Sequence, residues 1–278
     1  MSEQHHNRVL ITGGASGLGR EIAVRFGKNG YRVCIADRNE ERAQETIALI
    51  DETPGEAFFE KCDVTSPQDW ARTLVAMEDV WAGTDILVNN AGVASGGPFN
   101  WLSEEDWRWV MGINFYGVLY GCQAFVPQMI ERKSGHIVNI ASMAGVINPP
   151  GMSNYNVSKA AVISLSETLA VELQPYDVKV TCVCPSFFKT NLGESLRTPD
   201  EGTQVAMNKL MDNSSELSAA DIADQIYQAV VSGEFLVMPH EKARFAYELK
   251  NKDLKAHMAG LAPLAEQLLQ RAKRKPDA

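Results

Sequence analysis

The sequence contains no long apolar run and few basic residues. No stretch reaches the length of a signal sequence or a membrane span, and the first eight residues are mostly polar. We therefore expect a cytoplasmic protein. Among the 278 residues, 26 Lys and Arg stand against 35 Asp and Glu, which gives a formal net charge of -9. Nucleic-acid binding needs a concentrated basic surface, so we expect no nucleic-acid partner.

Cysteine is also scarce, and its count is odd. The five are Cys34, Cys62, Cys122, Cys182 and Cys184, all in apolar or strand-like surroundings. The Cys182-x-Cys184 spacing is that of half a metal site, but no second pair and no histidine cluster completes it. We predict small buried side chains in a reduced compartment, and no metal site.

What the chain does contain is a regular alternation of strand-like and helix-like segments. Val- and Ile-rich runs predict strands at residues 8–12, 32–36, 57–61, 86–89, 135–141, 178–184 and 235–238. Helical periodicity predicts helices at residues 17–29, 40–51, 67–80, 104–133 and 155–174. We find no repeat and no interdomain linker. This alternation predicts one α/β domain over 1–278, with a doubly wound parallel sheet of about seven strands covered by helices on both faces.

A glycine-rich turn follows the first strand directly. Its sequence from Thr12 to Gly19 is T-G-G-A-S-G-L-G, and a helical pattern begins at Gly17. Glycines in a strand–turn–helix context let the backbone approach a pyrophosphate, whose charge the helix N-terminus favours. The predicted cofactor contacts here are Gly13, Ser16, Gly17, Leu18 and Gly19.

Two adjacent charged residues bear on which dinucleotide would bind. Asp37 ends the second strand, where a carboxylate can accept hydrogen bonds from the adenosine ribose hydroxyls and would repel a 2′-phosphate. Arg38 follows at once, and a guanidinium group attracts a 2′-phosphate. We give Asp37 more weight and predict NAD, with NADP as the open alternative.

Three residues in the second half of the chain could carry out proton transfer. Tyr155 and Lys159 are one helical turn apart, and Ser142 lies thirteen residues before Tyr155. A tyrosine hydroxyl has a pKa of about 10, and we expect the lysine charge to lower it. Tyr155 would then exchange a proton with an alcohol or ketone, while Ser142 hydrogen-bonds the substrate oxygen.

Taken in order, these motifs closely resemble the short-chain dehydrogenase/reductase family, in its compact single-domain branch. The residues that carry the resemblance are Thr12–Gly19, Asn89-Asn90-Ala91-Gly92, Asn114, Ser142 and Tyr155-x-x-x-Lys159. The resemblance covers roughly residues 8–238. It implies a Rossmann-like fold, a nicotinamide cofactor and oxidoreduction of an alcohol–carbonyl pair.

The resemblance also implies further cofactor contacts, namely Asp63, Val64, Asn90, Ala91, Gly92, Pro185 and Thr190. Asp63 and Val64 would contact adenine, and Thr190 would hold the nicotinamide carboxamide. Ser186 stands where the family's signature has glycine, which bears on the local backbone and not on the chemistry.

By the same resemblance, Asn114 completes a catalytic tetrad with Ser142, Tyr155 and Lys159. The family asparagine lies at a helix kink, where it holds a water in a proton relay towards the lysine. The lysine also reaches the nicotinamide ribose. The alternative from a different class of function is a nicotinamide-binding sensor without turnover. The presence of all four residues favours an enzyme over such a sensor.

Residues around the predicted site are mostly apolar. Val93, Met152 and Phe187, together with Ser142, are the predicted substrate contacts. They favour a hydrophobic secondary alcohol or its ketone. An NADPH-dependent carbonyl or 3-oxoacyl reductase is the alternative enzyme, and a small sugar or polyol stays open. Residues 190–218 interrupt the rhythm with Gly and Pro, so we expect them to cover the substrate.

Several segments lie outside these motifs. The helices at 104–133 and 155–174 have broad apolar faces, and in the family such helices pair across a dimer axis, so we expect a homodimer or homotetramer. Residues 241–278 predict a helical extension broken at Pro263. We expect it to pack on its own subunit in preference to a membrane surface. Trp101, Trp107 and Trp109 are expected to pack at a helix start or a subunit contact in preference to stacking on substrate.

Overall fold

The computed structural model describes residues 7–188, 196–198 and 217–272. Within these ranges seven strands form one parallel sheet in the order β3-β2-β1-β4-β5-β6-β7. The strands are β1 (Arg8–Thr12), β2 (Arg32–Asp37), β3 (Glu56–Lys61), β4 (Ile86–Asn89), β5 (Gly135–Ile140), β6 (Val178–Val183) and β7 (Leu236–Val237). The predicted doubly wound α/β fold is confirmed, and its strands lie within one or two residues of their predicted ends.

Helices connect the strands and cover both faces of the sheet. They are α1 (Gly17–Lys28), α2 (Glu40–Asp51), α3 (Pro67–Trp81), α4 (Glu104–Met111), α5 (Gly117–Arg132), α6 (Ala144–Ile147), α7 (Ser153–Glu172), α8 (Ala219–Ser232), α9 (Glu241–Lys252) and α10 (Leu254–Ala272). Single turns of 3-10 helix occupy Phe99–Trp101 and Gln174–Tyr176.

Side chains alternate across the sheet and so build two cores. In β1, Val9 and Ile11 pack with α1, α2 and α8 on one face, whereas Leu10 packs with α3, α5 and α7 on the other. All five cysteines are free, and all five are buried in the second core. As predicted, they behave as small apolar side chains.

The α-helix predicted at 104–133 is wrong in one part: the chain stays helical up to Arg132, but it is not α-helical at Asn114, where the resemblance implies a kink. A five-residue π-helical segment, Gly112–Tyr116, separates α4 from α5. Its Asn114 side chain accepts from the Val93 N–H at 2.8 Å and donates to the Val93 carbonyl at 3.0 Å. Those hydrogen bonds connect the helix to the neighbouring loop and stabilise the wider π-helical turn. The periodicity of the sequence does not reveal them.

The predicted break at Pro263 is also wrong, because Pro263 lies inside α10. The chain instead breaks at Asp253, whose backbone is extended and whose carboxylate accepts from the Ala256 N–H at 2.9 Å. Proline deprives the Ala259 carbonyl of a helical partner. Both residues are exposed, so water can satisfy that carbonyl and the helix continues.

Most of the predicted covering segment, including Thr190, lies outside the described residues; only 196–198 and 217–218 are within them. The basic end of the chain beyond residue 272 lies outside them as well. In the described ranges, no helix combines the length and the apolar composition needed to cross a membrane.

A buried histidine makes the sheet sensitive to acid. His136 Nε2 lies 2.8 Å from Thr181 Oγ1, and Thr181 gives its own proton to the Glu234 carbonyl. The imidazole must therefore donate through Nε2. Burial, together with the charge of Lys179, lowers the pKa of His136 from 6.5 to about 4.

We therefore expect stability to fall in mild acid. The folded pKa lies below the unfolded value, so between pH 6.5 and about 4 only the unfolded chain takes up this proton. The histidine's contribution is complete above pH 6.5, and roughly 3 kcal/mol is lost as pH falls to 4. Urea unfolding across this range should show the loss, and His136→Gln should reduce it. An identical pH dependence in the variant would contradict the assignment.

Candidate active site

The sheet places one large cavity at the carboxyl ends of its strands. The cavity has a volume of about 760 Å³. It lies where the strand order reverses, since β1 pairs with β2 on one side and with β4 on the other. Parallel α/β sheets bind ligands at this position because the connecting loops diverge there.

The glycine turn forms one end of the cavity. Gly13 and Gly17 have φ values of 65° and 53°, which L-residues with side chains rarely adopt. Asn90 Nδ2 donates to the Thr12 carbonyl at 2.8 Å, and Thr12 Oγ1 accepts from the Ala91 N–H at 3.0 Å. The loop after β4 thus fixes the turn after β1. The N-terminus of α1, at Gly17, also lines the cavity, and a helix N-terminus favours an anion.

Asp37 lies at the same end, at the carboxyl terminus of β2. Its carboxylate accepts from the Ala15 N–H at 3.1 Å and from the Asn39 N–H at 3.0 Å. Arg38 is largely exposed and lies 3.7 Å from Asp63. The Asp37 carboxylate is therefore fixed in the cavity by two hydrogen bonds, whereas the Arg38 guanidinium forms an ion pair with Asp63.

The other end of the cavity contains the proposed proton-transfer residues. Tyr155 and Lys159 lie in the first turns of α7, and Ser142 follows β5. Lys159 Nζ is 5.9 Å from the Tyr155 ring centroid and donates to the Ile140 carbonyl at 2.8 Å. The Ser142 hydroxyl accepts from the Ala144 N–H at 3.1 Å.

Burial controls the protonation of this group. It raises the pKa of Tyr155 to about 12, although a hydrogen bond with Ser142 offsets part of the rise. It also lowers the pKa of Lys159 to about 8. The expectation that lysine brings the tyrosine pKa below its usual value is therefore wrong for the protein's own groups, since desolvation dominates. At neutral pH the Tyr155 hydroxyl therefore keeps its proton, and Lys159 is still mostly cationic.

Asn114 lies behind the cavity and is completely buried. Besides its two bonds to Val93, its Nδ2 donates to Ser158 Oγ at 3.1 Å, and Ser158 donates to the Tyr155 carbonyl at 2.8 Å. The asparagine thus connects the loop after β4 to the helix that carries Tyr155 and Lys159.

Almost all the predicted site residues line this one cavity. They are Gly13, Ser16, Gly17, Leu18, Gly19, Asp37, Arg38, Asp63, Val64, Asn90, Ala91, Gly92, Val93, Ser142, Met152, Tyr155, Lys159, Pro185 and Phe187. The exceptions are Asn114, which is behind the wall, and Thr190, which lies outside the described residues.

The cavity also contains residues that the sequence did not single out as site residues. Trp109, expected to serve in packing, lines it, and the Arg197 guanidinium carbon lies 4.1 Å from the centroid of that indole. Arg42 and Ile147 line it as well. The one sequence feature that could have indicated Trp109 as a site residue is its place in a helix next to the Asn114 segment. Nothing in the sequence indicates that Trp109 contacts an arginine so far along the chain.

Within the described part of the chain, no group of three or more His, Cys, Asp or Glu side chains could hold a metal ion.

The sequence matches the short chain dehydrogenase family model over residues 7–201. The curated protein 2,5-dichloro-2,5-cyclohexadiene-1,4-diol dehydrogenase LinX of Sphingobium indicum is 34% identical over 208 residues, which cover 73% of this chain and 83% of that protein. The 3-oxoacyl-(acyl-carrier-protein) reductase FabG of Thermotoga maritima is 32% identical over 72% of this chain and 81% of that protein.

Solved structures of short-chain dehydrogenases also superimpose on this chain. A short-chain dehydrogenase/reductase from Burkholderia phymatum in complex with NAD superimposes with a TM-score of 0.84 at 30% identity, covering 92% of this chain and 96% of that one. A short-chain dehydrogenase from Sphingobium yanoikuyae in complex with NADPH has a TM-score of 0.74 at 28% identity, covering 92% and 95%.

Proposed function

Because the chain belongs to the short-chain dehydrogenase family, we propose that it is an NAD(H)-dependent oxidoreductase that interconverts a hydrophobic secondary alcohol and its ketone. One observation carries the proposal. A single cavity has a glycine turn and Asp37 at one end, and Ser142, Tyr155 and Lys159 at the other. A dinucleotide held at the first end would extend towards the second end, where Tyr155 would act as the proton donor.

The cavity fits a nicotinamide dinucleotide. Gly19 allows the turn to close on itself, because an added Cβ would overlap the carbonyl oxygen of Gly13. The glycine turn would hold the pyrophosphate, Asp37 the adenosine ribose, and Asp63 with Val64 the adenine. When bound, the nicotinamide supplies or accepts the hydride at the substrate's carbinol carbon.

The protein's own residues manage the proton. In reduction, the Tyr155 hydroxyl donates a proton to the ketone oxygen as negative charge develops there. In oxidation, the Tyr155 phenolate takes the proton of the alcohol. The Lys159 ammonium stabilises the phenolate, and the Ser142 hydroxyl holds the substrate oxygen near Tyr155. Asn114 keeps the helix bearing Tyr155 in register with the loop after β4.

The substrate end of the cavity favours an apolar molecule. Its walls include Val93, Trp109, Ile147, Met152 and Phe187. These side chains offer contact area and few hydrogen bonds, which suits a ring or alkyl group beside the carbinol. A sugar or polyol would leave its extra hydroxyls unpaired against these walls.

Asp37 provides a test of cofactor choice. Asp37→Asn removes the charge but keeps an oxygen that can accept from the Ala15 N–H. We expect the ratio of kcat/KM for NADP to that for NAD to rise by about 10- to 100-fold, because like-charge repulsion of the 2′-phosphate is relieved. Asp51→Asn, at the exposed end of α2, is the matched control. An unchanged ratio would remove Asp37 from cofactor selection.

A second candidate is an NADPH-dependent carbonyl or 3-oxoacyl reductase. The observation that favours it is the pair Arg38 and Arg42, both of which line the adenosine end of the cavity. The relative from Thermotoga maritima is named as a 3-oxoacyl reductase. Wild-type kcat/KM that is higher with NADPH than with NADH would favour this candidate.

We further propose that the chain forms a homodimer or homotetramer. Tyr116 precedes α5 directly, and Val157 and Val171 lie in α7; all three are exposed. Light scattering on the purified protein tests this directly, and a monomer at micromolar concentration would contradict it.

The proposed activity itself is tested by a turnover screen. Secondary alcohols and ketones of graded size are offered with the oxidised and reduced forms of both cofactors, and absorbance of the reduced cofactor is followed. We expect turnover of bulky apolar members with NAD(H). Tight cofactor binding without turnover of any member, unchanged in Tyr155→Phe, would instead support a nicotinamide-binding sensor.

A further inference from the structure

The C-terminal extension is bound to the wall of the substrate cavity by two side chains. Lys250, in α9, donates through Nζ to the Val146 carbonyl. His257, in α10, is buried, and its Nε2 lies 2.8 Å from the Ile147 carbonyl. A carbonyl can only accept, so Nε2 carries the proton. Both acceptors lie at the end of α6, the short helix that follows Ser142.

The two ends of α6 are held differently. At its start, the Ala144 N–H donates to Ser142 Oγ, and a Cβ at Gly145 would lie 2.6 Å from the Ala160 backbone nitrogen. That end is pressed directly on α7. At its other end, the carbonyls accept from Lys250 and His257. The carbonyl end of α6 is therefore held by the extension in addition to the bond from the Ile147 N–H to the Met143 carbonyl, whereas Ser142 is held by the catalytic core.

Beyond α6 the chain forms a thin wall with space on both sides. Ile147 and Pro149 line the active-site cavity, whereas Asn148 and Pro150 line a second cavity of about 490 Å³ that Ile147 also borders. The opposite side of this second cavity is formed by the extension, at Leu254, His257, Met258, Leu261, Ala262 and Ala265. Most of these side chains are apolar. Asn156 Nδ2, in α7, donates to the Pro149 carbonyl at 2.8 Å and so holds the far part of the wall. The part next to α6 is backed by the second cavity and can move unless the extension holds it.

We propose that Lys250 and His257 are positioning residues that hold this wall and so set the largest substrate that the cavity admits. The inference rests on the proposed function, since it concerns the substrate end of the same cavity. With both donors in place, Ile147 and Pro149 limit the space beside Ser142. Without them, the wall can move into the second cavity and leave more room for a bulky group.

Removing the donors should change size selectivity and leave the chemistry intact. In Lys250→Met and His257→Leu we expect kcat/KM for bulky ketones, relative to small ones, to rise about tenfold. The kcat for small ketones should stay within a factor of about two, because Ser142, Tyr155 and Lys159 are not touched. Lys250→Arg and His257→Gln each retain an N–H donor and should restore the wild-type ratio. Lys252→Met, exposed at the end of α9, is the control.

Filling the second cavity should have the opposite effect. Ala262→Trp places a large side chain behind the wall, so we expect the ratio for bulky over small ketones to fall about tenfold. Opposite shifts in the two kinds of variant would distinguish wall support from general loss of structure. A ratio that is unchanged in all of them would overturn the inference.

Hydrogen exchange tests the support without any turnover. We expect the amides of Val146, Ile147, Asn148 and Gly151 to exchange faster in Lys250→Met and His257→Leu than in the wild type and in the two donor-retaining variants. Equal exchange would overturn the inference even if the enzyme is active. If no ketone is turned over, the proposed function fails, and faster exchange would still establish the support of the wall.

Discussion

Tyr155→Phe should lower kcat by about 10³-fold in both directions of the reaction. The ring of Tyr155 is buried, so phenylalanine keeps the packing and loses only the hydroxyl. We do not expect the Ser142 hydroxyl to take over, because in the proposed mechanism it holds the substrate oxygen and does not transfer the proton. Stopped-flow absorbance of the reduced cofactor measures the loss. The Kd for the cofactor should change by less than about threefold.

The matched control is Tyr176→Phe, which removes a hydroxyl from a partly exposed tyrosine in the turn after α7. Its kcat should equal that of the wild type. The pH dependence adds a second check. Since the pKa of Tyr155 is raised to about 12, alcohol oxidation by the wild type should speed up as pH rises from neutral. A Tyr155→Phe enzyme that retains substantial activity would require another proton donor.

Gly19→Ala should weaken cofactor binding by about 100-fold. A methyl group here would overlap the Gly13 carbonyl oxygen and lie 2.5 Å from Asn90 Nδ2. Neither neighbour can give way freely, since Gly13 is in the left-handed region and Asn90 Nδ2 is bonded to the Thr12 carbonyl. The turn must therefore open, which separates the backbone donors that would cradle the pyrophosphate. Titration with reduced cofactor, followed by fluorescence, measures the change.

Gly260→Ala is the control for this variant, because a Cβ at Gly260, in α10, meets no atom within 4 Å. Its Kd should match that of the wild type. Thermal unfolding of both variants separates a local effect from a global one. Full-strength binding by a folded Gly19→Ala protein would show that the turn does not hold the dinucleotide.

The local features of this protein could be predicted from its sequence. The ends of β1 and β4 match their predicted positions because Val- and Ile-rich runs stop at polar residues. The spacing of Tyr155 and Lys159 predicts that their side chains lie on the same face of the helix, since residues four apart share a helix face. The kink at Asn114 is implied by the family resemblance alone, and its π-helical form could not be predicted from the helix's own pattern. The Asn114 side chain is hydrogen-bonded to Val93, and no periodicity within the helix records such a contact.

The missed parts of the site are also long-range. Trp109 and Arg197 come from a helix and from a loop after β6, and only the folded sheet brings them to the same cavity. The direction of the Tyr155 pKa shift depends on how deeply both Tyr155 and Lys159 are buried. A one-turn spacing states that two groups are near each other, but it does not state how much water remains around them.

The order of the strands also constrains how the chain folds. β1 is the first strand to be synthesised on the ribosome, but one of its two neighbours in the sheet is β4. Val9 pairs with Ile86, which is made much later. Until Asn89 has emerged, one edge of β1 has no partner, and the glycine turn lacks the loop that fixes it. Pairings this distant along the chain slow the search for the native state, because loop closure precedes any compensating contact. The glycine turn therefore cannot reach its final form until β4 and the loop after it have been made.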